Sequence, residues 1–136
     1  MLNESTMADS YTDQPQTFDE FWDFYVSQHL NPACRAMHFI GTTGVIGCVA
    51  ATPVFPLALA AAPVCGYGFA WFSHMVFEKN RPATFTYPRW SLIADFVMYK
   101  KMLFREMNGE VERVKEMMRN QGFEVPGESL VPLESV

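Results

Sequence analysis

The sequence has no charged side chain between Arg35 and Glu78, a run of 42 residues. A helix needs about 20 apolar residues to span a membrane, so this run is long enough for two spans and too long for one. Pro53 and Pro56 lie near its middle and favour a turn. The run therefore predicts a helical hairpin in a membrane, at about residues 35–78.

Other absences exclude several classes of protein. Lys and Arg number 10 against 15 Asp and Glu, so the chain lacks the basic surface that nucleic-acid binding requires. Its three cysteines are an odd number without a C-x-x-C pair, which argues against a disulfide framework and a structural zinc site. It also lacks a P-loop, a dinucleotide fingerprint and a nucleophile elbow. We therefore expect no nucleic-acid partner.

An amphipathic helix is predicted before the uncharged run. Thr17 and Glu20 have the spacing of a capping box, in which Thr17 begins the helix. Aromatic residues follow at helical spacing, so we expect a helix over residues 18–29 that packs against the hairpin. Residues 1–16 are polar and lack this periodicity, and we expect them to be disordered.

A second amphipathic helix is predicted after the uncharged run, from Pro88 to about Arg105. Its apolar face would pack on the hairpin or lie among lipid headgroups, and it comprises Leu92, Phe96, Tyr99 and Leu103. Asp95 lies amid these apolar residues, and we expect it to turn to solvent or to pair with one of three basic residues: Arg35, Lys79 or Arg81.

Asn108 and Gly109 predict an interruption of the helical pattern. A short polar helix and a tail would occupy residues 108–136, with Gly122 ending the helix. The predicted fold is all-α, a membrane helical hairpin flanked by amphipathic helices. Residues 17–107 would form a single helical membrane domain.

Two features of the hairpin suggest how it packs and how it is oriented. Glycines recur every three residues in the first arm and would let the second arm approach closely, at Gly41, Gly44 and Gly47. Basic residues lie where the hairpin enters and leaves the membrane, at Arg35, Lys79 and Arg81. Because basic residues favour the cytoplasmic side, both ends would be cytoplasmic, in a bacterial inner membrane or in the endoplasmic reticulum.

The chain has only three histidines, and the hairpin would gather them. His38 lies near the start of the first arm, His74 lies near the end of the second, and His29 precedes the first arm. Imidazole binds iron, zinc, copper and nickel, so the three residues form a candidate metal site. Glu78 follows His74 by four residues and would share its helix face. Spacing alone supports a set of buried structural histidines equally well.

Other residues near the same end of the hairpin are weaker candidates. Three basic residues could clamp a carboxylate or serve only as topology charges: Arg35, Lys79 and Arg81. Cys34 precedes His38 by four residues, but isolated cysteines are usually small buried apolar groups.

Two stretches resemble the signature blocks of a known family. The first block contains His29, Asn31, Pro32, His38, Ile40 and Gly41, and the second is His74-x-x-Phe77-Glu78-Lys79-Asn80-Arg81-Pro82-Ala83. They resemble the membrane 2-hydroxy fatty acid dioxygenases, small proteins of bacteria and fungi, over roughly residues 18–107.

This resemblance implies an iron(II)-dependent enzyme of phytosphingosine breakdown. Such an enzyme uses O2 to convert a 2-hydroxy fatty acid into the acid one carbon shorter, with release of CO2. The resemblance implies that the motif histidines His29, His38 and His74 bind the iron, and we add Glu78 from its spacing. We expect no catalytic group beyond the metal ligands. The substrate-binding candidates are Arg35, Lys79, Arg81 and Asn31.

Two other interpretations stay open. A non-enzymatic membrane module that binds lipid or a partner protein would use the histidines to close polar gaps between helices. A soluble helical protein would bury the uncharged run as its core. The sequence also leaves open a homo-oligomer.

Overall fold

The computed structural model describes residues 14–128, and within that range the chain forms five α-helices and no strand. The helices are α1 (Phe18–Ser27), α2 (Pro32–Ala51), α3 (Ala58–Ser73), α4 (Pro88–Leu103) and α5 (Met107–Asn120). A π-helical turn, His74–Glu78, continues α3, and a 3₁₀ turn, Ala83–Phe85, precedes α4. The prediction of an all-α fold is confirmed. The disorder predicted for residues 1–13 and the end of the predicted tail, residues 129–136, lie outside the described residues.

Helix α1 begins where the capping box predicts. The Thr17 Oγ1 accepts a hydrogen bond from the Glu20 N–H at 3.3 Å. The Glu20 carboxylate reaches one residue further back than in a standard capping box and accepts from the N–H of Gln16 at 2.7 Å.

The predicted packing partner of α1 is wrong. Its buried aromatic face contacts α4 and α5, whereas the prediction was the hairpin. Phe21 explains the difference, because its ring lies 5.4 Å from the ring of Tyr87 and 5.4 Å from that of Trp90. On the other side of α1, the indole N–H of Trp22 donates to the Glu110 carboxylate at 2.8 Å. The hydrophobic core therefore lies between α1, α4 and α5.

Helices α2 and α3 run antiparallel, and two glycines allow them to meet. A Cβ atom on Gly41 would lie 3.0 Å from both the Cys65 carbonyl oxygen and the Phe69 Cβ. A Cβ atom on Gly44 would lie 3.1 Å from the Cys65 Cβ. The close approach predicted for these two glycines is confirmed. The same prediction is wrong for Gly47, where an added Cβ atom would meet nothing within 4 Å.

The α2 and α3 pair leaves much apolar surface uncovered. Among the described residues one helix, Pro32–Ala51, is long and apolar enough to cross a membrane, and 28% of its 18-residue apolar window is buried. The predicted second arm divides into the 16-residue helix α3 and the five-residue π-turn. Large apolar side chains at the turn between the helices are exposed, among them Val54 (78%), Phe55 (69%) and Leu57 (84%).

Three of the four residues on the apolar face predicted for α4 are exposed, so packing on the hairpin does not bury that face. Its other predicted location, among lipid headgroups, stays a prediction. Leu92, Phe96 and Leu103 are exposed, whereas Ser91, Ala94 and Met98 are buried. Small residues and a flexible methionine fit against the aromatic side chains of α1, so they form the inner face. The larger apolar residues of α4 face outward.

The predicted interruption at Asn108 and Gly109 is wrong, because both residues lie in the first turn of α5. The break occurs between Phe104 and Glu106, where Arg105 adopts a left-handed backbone conformation with φ of 59°. The predicted end of the helix is confirmed, since Gly122 has φ of 80° just beyond α5.

Candidate metal centre

The three histidines meet at one buried point. The Nε2 atoms of His29 and His38 are 3.2 Å apart, and those of His38 and His74 are also 3.2 Å apart. The Nε2 atoms of His29 and His74 are 3.0 Å apart. The exposed fractions of the three residues are 1%, 5% and 1%. The convergence expected from the hairpin is therefore present.

Short-range contacts between α1 and α2 fix the position of His29. The Asn31 side chain begins α2 by accepting the Ala33 N–H at 2.8 Å. One turn later, Arg35 Nη1 donates to the carbonyl oxygens of His29 at 2.9 Å and Leu30 at 2.7 Å. The buried guanidinium of Arg35 thus provides hydrogen bonds for the backbone carbonyls of the link between α1 and α2, which contains His29.

The π-turn fixes the position of His74. Its extra residue lets the N–H of Lys79 bond to the His74 carbonyl, and Lys79 then adopts a left-handed conformation with φ of 54°. The reversal brings Asn80 back over the histidine, where the Asn80 N–H also reaches the His74 carbonyl at 3.3 Å. π-helical turns of this kind often occur at functional sites.

The Nδ1 atoms show where each ring carries its proton. The Nδ1 of His29 donates to the Tyr25 carbonyl at 2.6 Å, since a carbonyl can only accept. The amide nitrogen of Asn80 donates to the carbonyl of Gln28 at 3.2 Å, which leaves the Asn80 Oδ1 facing His74. The His74 Nδ1 therefore donates to that oxygen at 2.6 Å.

The third ring is oriented by a carboxylate. The Nδ1 of His38 faces the Asp95 Oδ1 at 3.5 Å, and the negative charge favours a proton on that nitrogen. The Tyr25 hydroxyl donates to the same Asp95 oxygen. Metal-bound histidines usually donate their second N–H to a carboxylate or a carbonyl in this way.

These contacts leave three unprotonated Nε2 atoms facing one another. Three lone pairs at 3.0–3.2 Å repel one another unless a cation lies between them. Burial lowers the pKa of His29 well below its usual range, and the neighbouring His38 and His74 lower it further. The neutral imidazole is therefore the stable form of His29, as metal binding requires.

Cys34 lies beside the histidines. Its Sγ and the three imidazole donor atoms all lie within 4.8 Å of one another. The thiol donates to the Ser73 Oγ at 3.3 Å, while Ser73 donates to the Ala70 carbonyl at 2.7 Å. Cys34 is therefore held as a protonated thiol, whereas a metal ligand would be a thiolate.

One comparison with known proteins identifies a family. The family model described as 2-hydroxy-palmitic acid dioxygenase Mpo1-like matches residues 15–107, which is more than half of the chain. The chain belongs to the Mpo1-like family. The match contains all three histidines, Asn80 and Asp95. No curated protein and no solved structure matches the chain.

A small cavity adjoins the histidines of this Mpo1-like chain. Its volume of about 10 Å³ has room for one water-sized group. Besides the three histidines, its lining includes Tyr25, Ala70, Pro82, Thr84, Ser91 and Asp95. The Ser91 hydroxyl is buried and has no hydrogen-bond partner among the described residues. A buried hydroxyl without a partner costs about 1–3 kcal/mol.

The other predicted site residues lie outside the histidine cluster. The Glu78 carboxylate accepts the N–H of Asn31 at 2.6 Å. Arg35 and Asn31 serve the backbone contacts described above. Lys79 and Arg81 are exposed, and the Arg81 guanidinium lies over the ring of Phe85 at 5.2 Å.

Several residues of the site were not predicted. Asn80 was seen only as part of a motif, because its role depends on the π-turn. Asp95 was expected to turn to solvent or to pair with an arginine or lysine at the end of the hairpin, and that expectation is wrong because it contacts His38 and Tyr25. Asp95 and Ser91 share one helix face at a spacing of four residues, and that spacing is the signal that could have identified them.

Proposed function

We propose that this chain is an Fe(II)-dependent dioxygenase that shortens 2-hydroxy fatty acids by one carbon. The observation that carries the proposal is the convergence of three unprotonated Nε2 atoms from His29, His38 and His74. The family description supports the substrate class.

The donor set fits a metal ion held by three imidazole nitrogens. Nitrogens bound about 2.1 Å from one metal lie about 3.0 Å apart when their bonds are at right angles, and about 3.4 Å apart in a tetrahedron. One observed separation equals the first value, and the other two, at 3.2 Å, lie midway between the two values. Three ligands on one face leave open positions, as in non-haem iron oxygenases. We assign Fe(II) because the family description names a dioxygenase, and an open site of this kind would suit non-haem iron.

The proposed reaction balances without an added reductant. One 2-hydroxy acid and one O2 give the acid one carbon shorter, one CO2 and one water. The bond between the carboxyl carbon and C2 breaks, and these two carbons together lose the four electrons that reduce O2. Iron supplies the redox chemistry that lets O2 react with the substrate.

The residues of the chain orient and shield this chemistry. Asn80 and Asp95 hold the rings of His74 and His38, and the Tyr25 hydroxyl holds Asp95. Burial of the histidines excludes bulk water from the reacting groups. We assign the substrate carboxylate to the exposed basic residues beside the π-turn, Lys79 and Arg81.

The substrate chain would lie along a membrane-embedded surface. The exposed apolar side chains of α2, α3 and the turn between them form a surface that monomeric soluble proteins rarely expose. We infer that lipid covers this surface and that the histidines lie at the level of the headgroups. The exposed Leu92 and Phe96 of α4 would contact the same layer.

The proposal is tested with detergent-purified protein loaded anaerobically with Fe(II). The substrate is 2-hydroxypalmitate labelled at its carboxyl carbon, and the expected result is equal amounts of O2 consumed, labelled CO2 released and shortened acid formed. Palmitate, which lacks the hydroxyl, serves as the control substrate. Bound iron without turnover would reject the assigned substrate, and absence of both would favour a non-enzymatic membrane module.

A further inference from the structure

The unpartnered hydroxyl of Ser91 lies in the wall of the cavity beside the histidines. Ser91 is 2% exposed, and its Oγ is the only buried side-chain N or O atom without a partner in residues 14–128. Among its neighbours in the cavity, the Tyr25 hydroxyl donates to Asp95, and the Nδ1 atoms of His29 and His74 have partners. Ser91 therefore brings an unused hydrogen-bonding group to the lining of this cavity.

The size and charge of the cavity indicate which group of a ligand would enter it. A volume of about 10 Å³ admits one water-sized group, which fits a hydroxyl and is too small for a planar carboxylate. The Asp95 carboxylate also lines the cavity and would repel a second carboxylate. A neutral hydroxyl avoids both problems.

We propose that Ser91 hydrogen-bonds the 2-hydroxyl of the substrate and so selects 2-hydroxy acids over plain fatty acids. This inference rests on the proposed function and adds a specificity residue to it. Helix α4 presents Ser91 and Asp95 on one face, so the residue that binds the hydroxyl and the residue that orients His38 move together. A site built to pair with a substrate hydroxyl rejects the analogue without it, because the protein group is then left unpaired.

The test measures affinity without turnover. The Fe(II)-loaded protein, kept free of O2 in detergent, is titrated calorimetrically with 2-hydroxypalmitate and with palmitate. The wild type should prefer the hydroxy acid, and Ser91→Ala should lose about tenfold of that preference while its affinity for palmitate stays unchanged. Ser91→Thr keeps the hydroxyl and should keep most of the preference.

Two readouts separate this role from a structural one. Because Ser91→Ala removes an unpartnered hydroxyl, its iron content and thermal midpoint should equal or exceed those of the wild type. In the wild type itself, 2-methoxypalmitate should bind more weakly than 2-hydroxypalmitate, since its methyl group exceeds the cavity.

Several results would contradict the proposal. An unchanged preference in Ser91→Ala, an equal loss for both acids, or a lower midpoint with lost iron would overturn the role of Ser91. Equal binding of the methoxy and hydroxy acids by the wild type would do the same. A wild type that does not prefer the hydroxy acid over palmitate would instead reject the substrate of the proposed function, and this inference with it.

Discussion

The Nδ1 of His74 donates to the Oδ1 of Asn80 at 2.6 Å, although an ordinary helix would carry the two residues apart. The π-turn and the left-handed backbone of Lys79 reverse the chain between them. Asn80 is fixed in turn by its amide nitrogen, which donates to the Gln28 side chain at 3.0 Å. The link that precedes His29 is therefore coupled to the ring of His74.

Asn80→Ala should weaken Fe(II) binding by about 10- to 100-fold, because the orienting partner of His74 is lost. Asn80→Asp keeps an acceptor for the Nδ1–H and should lose less affinity. Competition with a chromophoric chelator measures both variants. Wild-type affinity in Asn80→Ala would show that the ring of His74 is held without Asn80.

Cys34→Ser should keep full iron content, because the thiol is protonated and donates to Ser73. Serine can make the same hydrogen bond, so stability should fall by no more than about 1 kcal/mol. Metal analysis tests the predicted iron content, and thermal unfolding tests the predicted stability. His29→Ala is the control variant, which should lose the metal. If Cys34→Ser purified without iron, a thiolate would belong to the ligand set.

Gly41→Ala should destabilise the α2 and α3 pair by about 1–3 kcal/mol, because its new methyl group would lie 3.0 Å from the Cys65 carbonyl oxygen. Gly47→Ala is the matched control on the same helix, and an added Cβ there meets nothing within 4 Å. Gly47→Ala should leave the free energy of unfolding unchanged or raise it by up to about 1 kcal/mol. Unfolding in detergent compares the two variants, and equal effects would contradict the observed helix contact.

The stability of the contact between α1 and α5 should depend on pH through Glu110. Burial opposes ionisation of this residue, but hydrogen bonds from Trp22 and Arg113 outweigh it and lower the pKa of Glu110 to about 2. A carboxyl whose pKa is lower in the folded state stabilises the fold above its unfolded pKa, near 4.5. That contribution is lost as pH falls from about 4.5 toward 2.

The comparison of wild type with Glu110→Gln isolates this effect, because every other acidic group titrates equally in both. The wild type should have the higher thermal midpoint at pH 7, and the difference should shrink below pH 4.5. A difference that stayed constant from pH 7 to pH 3 would mean that the charge of Glu110 does not stabilise the contact.

The sequence could identify the histidine cluster but not the residues that orient its rings. His38 and His74 were predicted to meet because a fold-back of two helical arms brings their ends together whatever the details of packing. The role of Asn80 could not be predicted, because it depends on one extra residue in a helical turn. The extra residue of the π-turn does not change the spacing of the apolar residues around it, so that spacing does not reveal the turn.

The face of α4 shows a second limit of the sequence. Hydrophobic spacing placed Leu92 and Phe96 on an apolar face that would pack on the hairpin or lie among lipid headgroups. They face outward in the structure, while Ser91 and Ala94 face inward. Apolar periodicity identifies the face of a helix that avoids water, and it does not identify the small and polar residues that pack against other helices. The buried polar residues of α4 were missed for this reason.

Metal content tests the central claim most directly. The wild type and His38→Ala are purified in detergent, loaded anaerobically with Fe(II) and freed of excess metal, and the iron is then measured per chain. The three-histidine centre predicts about one iron per wild-type chain and almost none in the variant, with both proteins equally helical. Stoichiometric iron in His38→Ala, or none in the wild type, would contradict it.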